Sequence, residues 1–122
     1  MAKTILIVDD SASLRQVISI AIKGAGYDVI EGCDGQDGLK KLDGKKIHLI
    51  ISDVNMPNMD GLTMVQEIKK MPAYKFTPII MLTTEAGADK KEIGKAAGVK
   101  AWMVKPFKPD QMLDAVSKLI MP

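Results

Sequence analysis

The chain has almost nothing from which to build a thiol or imidazole site. Cys33 is its one cysteine and His48 its one histidine. A single cysteine cannot close an internal disulfide or form a cysteine-based zinc site. A single histidine excludes HExxH and every other site that needs two imidazoles. Aromatic residues are scarce at 4%, and Trp102 is the only tryptophan. Excess charge is missing too, since 17 Lys+Arg against 15 Asp+Glu leave a formal +2 and a pI near 8.6. So mild a balance points neither to nucleic acid nor to an acidic membrane surface. The four lysines within residues 90–100 have no aromatic among them and read as a solvated helix face. No apolar run is long enough to span a bilayer, and the opening MAKTILIVDD reaches its acids too soon for a signal peptide. A cytoplasmic protein is expected. GADKKEIGKA is rejected as a phosphate-binding P-loop, because its glycines are too far apart and Ala96 stands where Ser or Thr is required.

What is present is core material. With 122 residues, 47% of them hydrophobic, the chain has the size and apolar content of one domain, expected to span residues 1–122 without a linker, repeat or output domain. Apolar runs of strand length recur at TILIV (4–8), YDVI (27–30), IHLII (47–51), PIIML (78–82) and AWMVK (101–105). Three of them are nearly continuous in Ile, Leu, Val and Met, as suits parallel strands covered on both faces. Helical patterns lie between. SASLRQVISIAIKGAG puts Leu14, Val17, Ile18, Ala21 and Ile22 on one face, GLTMVQEIKKM spaces Leu62, Val65 and Ile68, and PDQMLDAVSKLI opens on Pro109, a good first-turn residue. The sum is (βα)5, an α/β fold with a doubly wound, five-stranded parallel sheet.

On that frame the polar residues gather at one edge. Asp9 and Asp10 follow strand 1, Asp53 ends strand 3, Thr83 ends strand 4 and Lys105 ends strand 5. Open α/β sheets bind ligands at this carboxyl edge. Ser52, Asp53 and Thr83 are expected to converge there. Three carboxylates in one crevice repel unless a cation offsets them, and a hard divalent ion such as Mg²⁺ prefers oxygen ligands of this kind. An ammonium and a hydroxyl beside a carboxylate suit phosphoryl transfer, in which charge on the moving oxygens must be stabilised. With histidine and cysteine excluded, the natural nucleophile is a carboxylate that forms an acyl phosphate.

Four pieces in order, DD after strand 1, D-x-x-MPxMDG after strand 3, T after strand 4 and KPF after strand 5, resemble the receiver domain of two-component response regulators. NMPNMDG makes the chain most similar to the single-domain chemotaxis branch of that family. The resemblance covers essentially the whole chain. It implies the flavodoxin-like strand order 2-1-3-4-5, with Asp53 as phosphoacceptor. Mg²⁺ would be held by Asp10, by Asp53, by the backbone carbonyl of Asn55 and, through water, by Asp9. Thr83 and Lys105 would contact the phosphoryl oxygens, and Thr83 and Trp102 would form a switch acting on the strand 4, helix 4, strand 5 face. A cis Lys105–Pro106 peptide is implied as well. The donor would be a histidine kinase of the CheA type. The receiver would be a monomer catalysing only its own phosphorylation and dephosphorylation, and a downstream protein would read it, with a flagellar motor switch as one candidate.

Simpler readings stand beside these. Asp9 and Asp10 suit a helix N-cap, Thr83 a loop hydroxyl, Lys105 a snorkelling side chain, His48 a packed structural residue and the nine methionines core filler. Two other functions compete, an aspartate-nucleophile phosphohydrolase and an interaction module that is not phosphorylated. The first would need a DxD pattern after strand 1, where this chain has Asp9-Asp10-Ser11. The complete set of acids, threonine and lysine argues against the second. The chain departs from chemotaxis members at Gly87 and Ala88, which stand where those carry a lysine pair, so motor docking does not follow from the resemblance. Trp102 occupies a position usually held by Tyr or Phe.

Overall fold

In a computed structural model the protein is described over residues 3–83, 98–105 and 108–120. Five strands, β1 (Thr4–Val8), β2 (Asp28–Gly32), β3 (Leu49–Asp53), β4 (Ile79–Thr83) and β5 (Ala101–Val104), form one parallel sheet in the order β2-β1-β3-β4-β5. The helices among the described residues are α1 (Ala12–Gly24), α2 (Gly35–Leu42), α3 (Gly61–Lys69) and α4 (Pro109–Leu119). The helix expected between β4 and β5 falls on residues 84–97, outside the described residues.

Every residue of β3 and β4 is buried, as the unbroken Ile, Leu and Met runs require of central parallel strands. Side chains alternate across the sheet and build two cores. Leu6, Val8, Ile50, Ile79 and Met81 pack with Met64, Val65 and Ile68 of α3 on one face. Ile5, Ile7, Leu49, Ile51, Ile80 and Leu82 pack with Ile18 and Ile22 of α1 and Met112 and Val116 of α4 on the other.

Each helix starts on a local signal. Ser11 caps α1 by accepting from the Leu14 N–H at 3.2 Å, and Asp60 caps α3 by accepting from the Thr63 N–H at 2.7 Å. Pro109 is the first residue of α4. Asp34 caps α2 through the Asp37 N–H at 2.8 Å and also accepts from the Asn58 amide at 2.7 Å. The Asp37 bond first, and Asn58 second, hold the Asp34 carboxyl below its usual range. That second bond, with the Gly35 N–H donating to the Met59 carbonyl at 3.1 Å, ties the loop after β3 to the start of α2.

Four strand boundaries differ from expectation by a residue or two, with β2 at Asp28–Gly32, β4 at Ile79–Thr83, β5 ending at Val104 and β3 shifted to Leu49–Asp53. β3 begins at Leu49, so His48 lies just before the strand. The Thr4 N–H donates to His48 Nδ1 at 3.0 Å while the His48 N–H donates to the Thr4 carbonyl at 2.8 Å. The imidazole thus replaces a backbone acceptor where the ladder starts, which makes His48 the structural residue expected.

Candidate functional site

Parallel strands end together, so the last residues of β1, β3, β4 and β5 open onto one crevice. The register sets Val8 beside Ser52, Asp53 beside Leu82 and Thr83 beside Val104, with Asp9, Asp10 and Lys105 following at once. Carboxylate oxygens of Asp9, Asp10 and Asp53 all lie within 4.8 Å of one another. Asp9 is fully buried, Asp53 nearly so, and Asp10 is exposed.

Lys105 closes this cluster. Its ammonium lies 3.3 Å from Asp9 Oδ2 and 3.2 Å from Asp53 Oδ2, bridging strands that are far apart in sequence. The second oxygens are held by backbone, Asp9 Oδ1 by the Ser11 N–H and Asp53 Oδ1 by the Val54 N–H, each at 2.8 Å. Burial pushes the Asp9 carboxyl above its ordinary value and the Asp53 charge adds to this. The Ser11 N–H and the Lys105 ammonium act in the opposite direction without cancelling the rise. Among the described residues one ammonium faces three carboxylates, a net negative cluster that offers oxygen donors. That donor set suits a hard divalent cation, which accepts a few carboxylates and fills its remaining positions with water.

Of the other expected site residues, Thr83 is fully buried at the end of β4 and its carbonyl accepts from the Lys105 N–H at 2.7 Å. Asn55 lies two residues beyond Asp53 and is exposed. Trp102 is half-buried, opposite Met81, and packs against the core shared with α3. The Lys105–Pro106 peptide lies outside the described residues, as does Gly87-Ala88. Ser52 does not join the carboxylates. Alternation turns its buried hydroxyl away, and it donates to the Asp53 carbonyl at 2.8 Å.

Two braces were not anticipated. Arg15, one turn into α1, donates from Nη1 to the Asp9 carbonyl at 2.5 Å, and its Nε lies 3.4 Å from Glu31 of β2. Gly61 packs so tightly on the Asp53 carbonyl, Met81 and Ser52 that no Cβ fits. Only the glycine had a signal in the sequence, in Asp60-Gly61.

The structure is a doubly wound sheet with an acidic crevice closed by a lysine, and comparison with known proteins gives its family. The family model of the response regulator receiver domain matches residues 5–117. Chemotaxis protein CheY1 of Helicobacter pylori is 36% identical over 118 residues, 95% of each chain. Protein PilG of Pseudomonas aeruginosa is 34% identical over 112 residues, 92% of this chain and 83% of that one. The solved structure of chemotaxis protein CheY4 of Vibrio cholerae is 44% identical, with a TM-score of 0.93 over 98% of this chain and 99% of that one. The chain belongs to the response regulator receiver domain family.

Proposed function

We propose that this receiver accepts a phosphoryl group on Asp53 from a histidine kinase in a Mg²⁺-dependent step, and that the phosphorylated form is read by a downstream protein. The observation that carries this reading is the Lys105 ammonium set between Asp9 and Asp53 in a three-carboxylate crevice. In the transfer an Asp53 carboxylate oxygen attacks phosphorus and the O–P bond forms. The P–N bond to the donor imidazole breaks, and the departing nitrogen keeps the electron pair and takes up a proton. Asp10, Asp53 and the Asn55 carbonyl would hold Mg²⁺, with Asp9 acting through water; when bound, the ion supplies positive charge to the transferring oxygens. Lys105 adds a fixed cation, and Thr83 is proposed to donate its hydroxyl to a phosphoryl oxygen.

Likeness to two chemotaxis proteins over nearly their full length supports a chemotaxis-type role as a single receiver domain, with a kinase of the CheA type as donor. On this reading the protein is a cytoplasmic switch that turns over only its own phosphoryl group. No described helix is long and apolar enough to cross a membrane. The test is incubation with acetyl phosphate and Mg²⁺, followed by intact-protein mass spectrometry. One added phosphoryl group is expected in the parent and none in Asp53→Asn or after chelation, and equal labelling of the Asn variant would refute the assignment.

A further inference from the structure

We infer that Arg15 is a positioning residue of the Mg²⁺ pocket, acting through the peptide that joins Asp9 to Asp10. The inference rests on the reading that this pocket binds Mg²⁺. Arg15 is the one arginine among 17 basic side chains, and it is aimed at a main-chain oxygen of the site. Nη1 donates to the Asp9 carbonyl at 2.5 Å, and Nε faces Glu31 Oε1 at 3.4 Å. A planar guanidinium can serve two acceptors along fixed directions, whereas a lysine offers one point charge on a flexible stem. The carbonyl it holds belongs to the Asp9–Asp10 peptide, so its direction fixes the plane from which the Asp10 side chain departs.

The rest of this turn is already pinned on the Asp9 side. The Asp9 N–H donates to the Gly32 carbonyl at 3.1 Å, and Asp9 Oδ1 accepts from the Ser11 N–H at 2.8 Å. Asp10 is the exposed member of the carboxylate cluster, so the orientation of its peptide decides how well it meets a cation. Glu31 sits beside Ile7 in the β1–β2 register, one residue before the Gly32 that binds Asp9. Arg15 therefore locks the β1–α1 turn to β2. The Glu31 carboxylate also balances the guanidinium, so the pair adds little net charge to the crevice and its effect is directional. Groups that orient metal ligands are worth about 10- to 100-fold in metal affinity.

The experiment is Mg²⁺ titration calorimetry on the full chain without phosphodonor, for the parent, Arg15→Met, Arg15→Lys and Glu31→Gln, with thermal unfolding of each. The expected result is a Kd for Mg²⁺ about tenfold weaker in Arg15→Met. Partial recovery is expected in Arg15→Lys, which keeps one donor, and a smaller loss in Glu31→Gln, which keeps the bond to Asp9. The half-saturating Mg²⁺ for acetyl phosphate labelling should move by the same factor. Arg15→Met with the parent's Kd, or a tighter one, overturns the inference. If Arg15→Met does not fold, Arg15→Lys with the parent's Kd overturns it instead. A parent that neither binds Mg²⁺ nor labels refutes the pocket reading itself, whereas a parent that does both beside an unaffected Arg15→Met refutes only the role of Arg15.

Discussion

Gly61 has no room for a side chain because of Asp53: a Cβ built there overlaps the Asp53 carbonyl oxygen and would stand 2.8 Å from Met81 Cε. The Gly61 N–H also donates to the Val54 carbonyl at 2.8 Å, so α3 begins pressed against the residues that present the candidate phosphoacceptor. Two effects of opposite sign meet in Gly61→Ala. Helix propensity favours alanine by about 1 kcal/mol. Overpacking against fixed backbone costs about 1–3 kcal/mol. Packing should win, because the atom in the way is a main-chain carbonyl and cannot rotate aside. Urea unfolding should show a net loss of stability, and acetyl phosphate labelling should slow as Asp53 is displaced. A variant more stable than the parent would mean that the start of α3 yields more easily than this packing implies.

Asp9 gives a pH-dependent prediction. Burial, with the Asp53 charge, raises its folded-state carboxyl above the ordinary 3.8. A raised acid favours the folded state in its protonated form. Its stabilising contribution is therefore present below about pH 3.8 and is lost as pH rises through the higher folded value. Without Mg²⁺, Asp9→Asn should be more stable than the parent at neutral pH. A change on the order of 1 kcal/mol would raise Tm by about 3–6 °C in a domain of this size. The difference should shrink as pH falls into the carboxylate range. A Tm difference independent of pH would show that the gain comes from something other than Asp9 ionisation.

Lys105 should behave oppositely to Arg15 toward Mg²⁺. Its partners are the carboxylates themselves, at 3.3 and 3.2 Å, so its charge competes with an incoming cation. A charge pair about 4 Å apart interacts by about 4 kcal/mol at an effective dielectric of 20, and partial exposure reduces that further. Lys105→Met should therefore bind Mg²⁺ at least about threefold more tightly by calorimetry, while labelling by acetyl phosphate slows because the transferring oxygens lose a fixed cation. Weaker Mg²⁺ binding would show that Lys105 holds the acids in place more than it competes for them.

Much of this was legible before any coordinates, for a physical reason. Unbroken Ile, Leu and Val runs separated by amphipathic segments admit few folds, and parallel strands necessarily bring their ends to one edge, which gathers Asp9, Asp53 and Lys105. What escaped is what depends on side-chain direction and long reach. IHLII reads as one apolar run, yet the imidazole of His48 replaces a backbone acceptor and delays β3 to Leu49. Ser52 is adjacent to Asp53, and adjacency in a strand means opposite faces. Arg15 reaches back to a carbonyl six residues earlier, and Asn58 reaches Asp34 across 24 residues. Neither contact follows any periodicity.

Trp102 supplies the last prediction. It pairs with Met81 across β4 and β5, and alternation puts Thr83 diagonally beside it on the same face of the sheet. Thr83 is fully buried and Trp102 only half so, packed against a core that includes Met81 and Ile79. If the Thr83 hydroxyl moves toward a phosphoryl group on Asp53, space opens where the indole can enter. An indole is large and its N–H wants a partner when buried. In a close-packed interior, entry without such space would cost about 1–3 kcal/mol. The hypothesis is that Trp102 moves inward on phosphorylation and changes the surface around β5, where Val104 is already exposed. As the only tryptophan, Trp102 reports on this directly. Adding Mg²⁺ and acetyl phosphate should shift its emission and reduce iodide quenching in the parent, and should leave Asp53→Asn and Thr83→Ala largely unresponsive. The same response in parent and Asp53→Asn would make it an effect of Mg²⁺ alone. A response retained in Thr83→Ala would remove Thr83 from the coupling, and no response in a parent shown by mass to be phosphorylated would leave Trp102 a fixed surface anchor.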